Sequence, residues 1–416
     1  MENLQFSWLD DPETKTSKPM NIFCIPSWYP SESHPIYGIF IREEFELMAQ
    51  YYPDINYGVS FWGQGDDPSL LWAGRPLSSL KKLLKPLEKN ARQHTKNLVE
   101  YKNPVYIWTR KLFKGNLRNV FRSNHENLLQ FEHDFGKIDL IHAHASYPGA
   151  MMASCLSNKY GIPYILTSHM SPFPFREFLK SGRLVSWLDR PVQQAKKVIV
   201  PSRWAEQGVK KFGIENTTVI PVIRDLETFT PADYSSNPVP VILAVGRLVP
   251  QKGFDLLIEA AADIKQDFIV TIVGEGEQRQ KLSKMINKYD LQEKVFLEGE
   301  KSRSEVIRRM QSCDFFVLSS RHETFGNVVV EAAACGKPVV VTKCGGPSDI
   351  ISDRIGIEVE KESVIALKNG IEKMLSIYAS YSSKKVREDI IARFDPKVIA
   401  KKLRNVYEEV INQNDE

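Results

Sequence analysis

The sequence lacks several features that mark special classes of protein. Its five cysteines, Cys24, Cys155, Cys313, Cys335 and Cys344, are scattered over 416 residues without a CxxC pair. Disulfide frameworks and zinc sites need closely spaced cysteines, so neither is indicated, and a reducing cytoplasm is favoured. The net charge of +4 is too small to indicate a nucleic-acid partner.

Targeting segments are also missing. The first nineteen residues have neither the basic start nor the apolar run of a signal peptide, and we expect residues 1–19 to form a polar, mobile extension. No uncharged apolar run reaches the ~18 residues that a membrane span needs. The sequence therefore predicts a cytoplasmic protein, with a peripheral position at the inner face of the plasma membrane as the alternative.

What the sequence does contain is a regular alternation of short apolar runs with stretches of helical periodicity. This alternation is typical of parallel sheets covered by helices on both faces, so the predicted fold class is α/β with two doubly wound Rossmann-like domains. The runs that predict strands are 20–26, 55–62, 138–145, 163–169, 196–202 and 217–223, followed by 240–246, 268–274, 294–299, 314–320 and 337–343.

The predicted boundaries follow from composition. Residues 20–225 and 240–390 form the two domains, because a chain of this length exceeds what one core usually supports. The stretch 226–239 is rich in Pro and Ser and is predicted to be a linker. The final segment, 395–416, spaces Ile399, Leu403, Tyr407 and Val410 along one face of a predicted helix.

Residues 71–130 depart from the alternation because they are strongly basic. They contain thirteen Lys or Arg and three Glu, with Trp72, Trp108, Phe113 and Phe121 between the charges. Two interpretations stay open at this point. The segment is either a solvated helical insertion or a surface that attracts an anionic membrane, and acceptor binding is compatible with both.

The first motif that carries chemistry is "GRLVPQKG", residues 246–253, after a predicted strand. It is neither a Walker A loop nor GxGxxG. Gly246 allows a tight turn, and Arg247 and Lys252 project from a loop that enters a helix. Two cations at the carboxyl edge of a parallel sheet suit an anion, above all a diphosphate.

The second motif is "ETFGNVVVEAAACG", residues 323–336, between two predicted strands. Asn327 is predicted to cap a short helix and Gly336 to end it. Glu323 precedes this helix and Glu331 lies within it, among apolar residues where an unpaired charge is costly. Carboxylates accept hydrogen bonds from sugar hydroxyls, so the two motifs together suit a sugar joined to a diphosphate.

Through these motifs the chain resembles the family 4 retaining glycosyltransferases of bacterial glycan assembly. Members of that family have the GT-B fold, in which two domains face each other across a cleft. The resemblance covers "GRLVPQKG", "IVGEGEQR" (272–279), "ETFGNVVVEAAACGKPVV" (323–340) and "GGPSDII" (345–351). In the first half it rests on "PSWYPSESHPIYGIFIREEFELMA" (26–49) and "LTSH" (166–169).

The resemblance implies roles for individual residues. Arg247 and Lys252 would bind the donor diphosphate, Glu323 would face the donor sugar, and Glu331 would bind the ribose. Residues 20–225 would hold the acceptor and 240–390 the donor, with the last helix crossing back to the first domain. The remaining implied site residues are His169 near the transferred sugar, Gly38 and Gly246 in loops beside the diphosphate, and Thr324, Phe325, Gly326, Asn327 and Val328, whose backbone would meet sugar or phosphate.

The sequence departs from the family in two places. The first loop has one glycine, Gly38, where many members have a pair, and "IPVIRDLETFTP" (220–231) lacks the Asn-Gly that often precedes the acidic residue. The histidines of the "HAH" stretch, His142 and His144, are interpreted as strand-end residues, with acceptor contact as the alternative.

The predicted function is retaining transfer of a sugar from a nucleotide diphosphate sugar, with UDP favoured, to a hydroxyl of a glycan or lipid-linked saccharide. No DxD motif occurs in the sequence, so no metal or other cofactor is predicted. Two alternatives stay open: a nucleotide-sugar epimerase or phosphorylase on the same fold, and a non-catalytic membrane-associated binding protein.

Overall fold

A computed structural model describes residues 19–35, 37–64, 66–72, 74–109, 113–170, 173–232 and 237–415. The predicted extension over residues 1–19 lies outside these ranges, apart from Pro19. Within them the strands are β1 Met20–Pro26, β2 Ile55–Phe61, β3 Leu70–Trp72, β4 Asn90–Thr95, β5 Leu98–Lys102, β6 Ile107–Thr109, β7 Leu140–His144, β8 Tyr164–Thr167, β9 Leu179–Lys180, β10 Arg183–Leu184, β11 Val198–Val200, β12 Thr217–Val219, β13 Val241–Val245, β14 Ile269–Val273, β15 Val295–Gly299, β16 Phe315–Leu318, β17 Val339–Thr342 and β18 Gly356–Val359.

Helices cover the strands. In the described part of the chain they are α1 Ile39–Tyr51, α2 Pro76–Leu83, α3 Phe113–Phe135, α4 Met151–Tyr160, α5 Ser186–Gln193, α6 Arg203–Lys210, α7 Phe254–Ala262, α8 Arg279–Lys288, α9 Arg303–Ser312, α10 Asn327–Ala334, α11 Val364–Ile377, α12 Ser383–Phe394 and α13 Pro396–Asp415. None of these helices is both long and apolar enough to cross a membrane.

Two main sheets organise the described residues, which confirms the predicted α/β class. The first has the order β12-β11-β8-β7-β1-β2-β5-β4, and all its pairings are parallel except that of β4 with β5. The second has the order β15-β14-β13-β16-β17-β18 and is parallel throughout. Each sheet carries buried apolar residues on both faces, which is why its central strands are rich in apolar residues.

The interpretation of residues 71–130 as a helical insertion is wrong for part of the segment. Strand β5 pairs in parallel with β2, and its Val99 and Tyr101 are buried in the first core. Charged residues obscure this strand in the sequence, because Glu100 and Lys102 lie within it and Lys96 shortly precedes it. The short strand β18 was not predicted either, because its four residues include a glycine and a glutamate and so do not form an apolar run.

The last helix, α13, packs on the first sheet although it follows the second sheet in the chain. Its Ile399, Leu403 and Tyr407 are buried in the same cluster as Ile22 and Tyr57 of that sheet. The spacing of these helix residues puts them on one face, so one stripe of the helix supplies the contact. The two halves are therefore joined by α13 as well as by the linker.

Candidate active site

The loop after β13 brings a cation against a carboxylate from another motif. The ammonium group of Lys252 pairs with the carboxylate of Glu323, and Ser320 Oγ donates to the same carboxylate at 2.9 Å. Lys252 lies across Gly246, where an added Cβ would approach the lysine Cε to 3.2 Å. Two predicted site residues that are 71 positions apart in sequence are thus in direct contact at the carboxyl edge of the second sheet.

Glu323 is fixed by its backbone as well as by its side chain. Its N–H donates to the carbonyl of Cys344 at 3.0 Å, and its carbonyl accepts from the N–H of Gly346 at 2.9 Å. The "ETFG" loop is therefore bonded to the "CGGPSD" loop after β17, which holds the start of α10 at the sheet edge. Phe325 is buried there against the ring of Phe394.

The predicted cap of α10 is wrong by one residue. Gly326 is the N-cap, in the left-handed conformation with φ of 103°, and Asn327 is the first residue of the helix. Asn327 cannot cap because it already has helical geometry, and its buried Oδ1 has no hydrogen-bond partner among the described residues. The predicted end holds: the helix stops at Ala334, and Gly336 follows with φ of 75°.

Glu331, predicted to bind ribose, is paired with an arginine that lies just before the predicted linker. Arg224 donates to the carboxylate of Glu331 and also to that of Glu43 on α1. All three side chains are buried, and Arg303 of α9 also pairs with Glu43. One row of charges therefore joins α1 of the first half, the segment just before the linker, and α9 and α10 of the second half. Arg224 was not predicted as a site residue, although it lies in the stretch 220–231 that departs from the family.

The start of α1 lies against His169, and the loop before it lies within electrostatic reach of Arg247. Phe40 is the second residue of α1. The centroid of its ring lies 4.8 Å from the centroid of the His169 ring. Burial raises the pKa of Tyr37 in the same loop, and the charge of Arg247 opposes that rise. His169 and Arg247, predicted from separate motifs, are thus each linked to the first loop or to the helix that follows it.

Gly38 has a structural reason for being glycine. Its φ is 73°, and an added Cβ would lie 2.7 Å from the carbonyl carbon and oxygen of Trp28. A side chain at this position would therefore collide with the backbone of its own loop. The approach of this loop to a diphosphate stays a prediction, because the contact with Trp28 explains the glycine without a ligand.

The two halves also touch through the loop that carries Glu323. Ser202 Oγ donates to the carbonyl of Thr324 at 2.6 Å, and the N–H of Arg203 donates to Asp349 at 2.6 Å. Trp204 packs on Gly345, where an added Cβ would approach the indole ring to 2.8 Å. The start of α6 in the first half therefore contacts the site of the second half directly.

A buried polar network lies behind His169. His144 Nδ1 is 3.1 Å from His169 Nε2, and His144 Nε2 is 3.7 Å from Glu44 Oε1. The neighbouring His142 bonds to Tyr407 at 2.9 Å and to Thr167 at 2.7 Å. His142 and His144 are completely buried, so they have a structural place inside the sheet and cannot contact an acceptor.

Glu44, His142 and His144 also have the chemistry of metal ligands. Their ligand atoms lie within 4.8 Å of one another. Both ring nitrogens of His142 already face hydroxyl groups, however, so we interpret the cluster as hydrogen-bonded. The signal that could have found it is the pair of adjacent acids in "REEFELM", because Glu43 and Glu44 are both buried on an otherwise apolar helix face.

Two Rossmann-like domains with this set of charges at the facing edges define a glycosyltransferase of the GT-B fold. The chain belongs to the glycosyltransferase group 1 family, whose model matches residues 230–393, and residues 81–228 match the model for glycosyltransferase family 4. An uncharacterized glycosyltransferase of Methanocaldococcus jannaschii is 32% identical over 75% of this chain and 86% of its own length.

Solved structures show the same fold. A sucrose-phosphate synthase from Thermosynechococcus elongatus has a TM-score of 0.73 at 20% identity, over 95% of this chain and all of that one. HepE of Anabaena, solved in complex with UDP, has a TM-score of 0.66 at 19% identity, over 94% of this chain and all of its own. The family membership, and not the shared fold, favours a transferase over the epimerase, phosphorylase and non-catalytic alternatives.

Proposed function

We propose that this protein transfers a sugar, with retention and without a metal, from a UDP-sugar to a hydroxyl of a glycan or lipid-linked saccharide. The observation that supports the proposal most is the contact between Lys252 and Glu323, because the proposal assigns this ammonium group to the diphosphate and this carboxylate to the sugar. HepE, which has the same fold, was solved in complex with UDP, and this supports UDP as the nucleotide of the donor.

In the proposed reaction the cations stabilise the leaving group. Arg247 and Lys252 neutralise the departing diphosphate while the anomeric bond loosens into an oxocarbenium-like state. The acceptor attacks from the same face, and a leaving-group oxygen takes its proton. Glu323 is engaged by Lys252 and Ser320, so we assign it to sugar binding and not to nucleophilic attack. His169 lies near the transferred sugar.

The acceptor would be presented at an anionic membrane surface by a patch around α2, which we call the basic apolar patch. Trp72, Leu77, Leu80, Leu83 and Leu84 expose their apolar side chains there, with Leu77 78% and Leu84 81% exposed. The exposed cations Arg75, Lys81 and Lys85 lie in the same stretch. Apolar side chains flanked by cations suit the interface of an anionic bilayer, where each cation contributes about 1 kcal/mol.

Thermal unfolding with UDP, GDP and ADP tests the donor assignment. A nucleotide at ~100 times its dissociation constant stabilises a protein by about 2.7 kcal/mol. We expect UDP to raise the melting temperature more than GDP or ADP, and Glu331→Ala to weaken that rise. If none of the three nucleotides stabilises the wild-type protein, the proposed function is wrong.

A further inference from the structure

The His169 side chain ends a row of three ionisable groups, and the proposed reaction gives no role to the other two, Glu44 and His144. Glu44 comes from α1, His144 from the last residue of β7, and His169 from the loop after β8. Their facing atoms are 3.7 Å and 3.1 Å apart in turn. The row runs from the interior of the first half towards the cleft, since His169 is partly exposed whereas Glu44 and His144 are buried.

Burial of these polar groups costs folding free energy. Glu44 is 4% exposed and His144 is 0% exposed. Among the described residues, Glu44 Oε1 and His144 Nε2 have no hydrogen-bond partner at normal distance, and they face each other. Apolar side chains would fill the same space without leaving buried polar atoms unsatisfied, so packing does not account for this choice of residues.

The geometry points to a task for the row. We infer that Glu44 and His144 are positioning residues that fix which ring nitrogen of His169 carries a proton, and that they hold its ring at the cleft. The inference rests on the proposed role of His169 beside the donor sugar. A bond between two neutral imidazoles needs one donor and one acceptor, so the state of His144 dictates that of His169.

The direction in which hydrogen bonds are donated along the row follows from the protonation states of its three groups. Burial raises the pKa of Glu44 to about 8 and lowers those of His144 and His169, the latter to about 3. At neutral pH a protonated Glu44 therefore donates to His144 Nε2 once the carboxyl closes the 3.7 Å gap. His144 then donates from Nδ1 to His169 Nε2, and His169 carries its own proton on Nδ1, where it can donate to a substrate oxygen.

Substitutions at Glu44 separate positioning from packing. Glu44→Gln keeps a donor, because the amide N–H can replace the carboxyl proton, whereas Glu44→Met keeps the approximate length and removes every hydrogen bond. We expect Glu44→Met to lower kcat by roughly 10- to 100-fold, as loss of an orienting partner typically does, with the KM for donor changed less than threefold. Glu44→Gln should restore most of that loss.

A spectroscopic readout tests the inference without relying on turnover. In protein labelled with ¹⁵N histidine, the His169 ring should show one tautomer, protonated at Nδ1, in wild type and Glu44→Gln. Glu44→Met should show a mixture of tautomers, and His144→Phe should do the same if Glu44→Met fails to fold. An unchanged His169 tautomer in Glu44→Met, or in His144→Phe, overturns the inference.

These experiments distinguish failure of the proposed function from failure of the positioning role. Wild-type protein that transfers no sugar would refute the proposed function, while the histidine spectra would still decide whether the row sets the tautomer. Conversely, active wild-type protein with Glu44→Met equally active would refute the positioning role and leave the proposed function intact.

Discussion

Arg224, just before the predicted linker, donates to the carboxylate of Glu331 on α10, and this bond joins the ribose-binding candidate to the region between the two sheets. The same guanidinium also donates to Glu43 on α1. Arg224 donates to Oε1 of Glu331. The carboxylate has a second oxygen, so a ribose hydroxyl can donate to Oε2 without displacing the arginine. Donor binding would therefore act on a residue that both halves already share.

Removal of Arg224 should destabilise the protein strongly. Arg224→Met leaves the buried carboxylates of Glu43 and Glu331 without their shared partner, and breaking a buried ion pair costs about 3–5 kcal/mol. Arg279→Met is the matched control, because Arg279 pairs with Glu275 at an exposed site and should cost at most ~1 kcal/mol. Denaturant unfolding compares the two variants. Equal stabilities would mean that the Arg224 row does not stabilise the fold.

Lys252→Ala should abolish sugar transfer and leave the fold intact. The cation contributes most when charge develops on the departing diphosphate, so we expect kcat/KM to fall by at least about 100-fold. Lys281→Ala is the control, since Lys281 forms an exposed pair with Asp255 in the same half. Turnover of Lys252→Ala near that of the control would refute the assignment of the leaving-group cation.

Glu323→Ala should separate sugar transfer from nucleotide binding. The substitution removes the carboxylate that we assign to the donor sugar, so we expect kcat to fall roughly 100-fold through misplacement of the sugar. The cations that we assign to the diphosphate, Arg247 and Lys252, are both retained, so the dissociation constant of UDP should rise less than threefold. Calorimetric titration with UDP measures the second effect. A large loss of UDP affinity would mean that the roles of Glu323 and Glu331 are reversed.

The basic apolar patch should bind anionic vesicles. We expect the wild-type protein to co-sediment with phosphatidylcholine vesicles that contain phosphatidylglycerol, and to bind more weakly as salt screens the cations. The triple variant Leu77→Ser, Leu80→Ser and Leu84→Ser should lose binding, because each leucine contributes about 1.5–3 kcal/mol when fully buried. Ile365→Ser is the control, since Ile365 is exposed on α11 in the other half. Triple-variant binding equal to that of the control would exclude the patch as the docking surface.

The apolar runs were enough to predict the parallel sheets, because strands buried on both faces leave a continuous hydrophobic signal in the sequence. Local motifs likewise led to Lys252 and Glu323, which the structure brings into contact. The partners that depend on long-range approach could not be predicted in this way. Arg224 and Glu331 are 107 residues apart, and the charge on Arg224 alone does not indicate which carboxylate it will meet. Strand β5 was missed because charged residues lie within it and shortly before it.

Glu44 should make the stability of the protein fall as pH rises. Its folded pKa of about 8 lies above the ordinary value of 4.5, so the folded state keeps a proton that the unfolded state releases between these values. Stability from this group is thus fully present below pH 4.5 and is lost as pH rises through 8, by up to about 1.4 kcal/mol per unit.

The neighbouring titratable groups do not change this sign. Burial keeps His144, Cys24 and Tyr407 neutral across the window, because it lowers the pKa of the histidine and raises those of the thiol and the phenol. Glu44→Gln removes the titrating group, so its advantage in melting temperature over wild type should be larger at pH 8 than at pH 5. Glu388→Gln, at an exposed pair with Lys384, should show no such trend. If wild type and Glu44→Gln lose equal stability between pH 5 and pH 8, Glu44 is already ionised in the fold, and the hydrogen-bond direction inferred for the row to His169 is reversed.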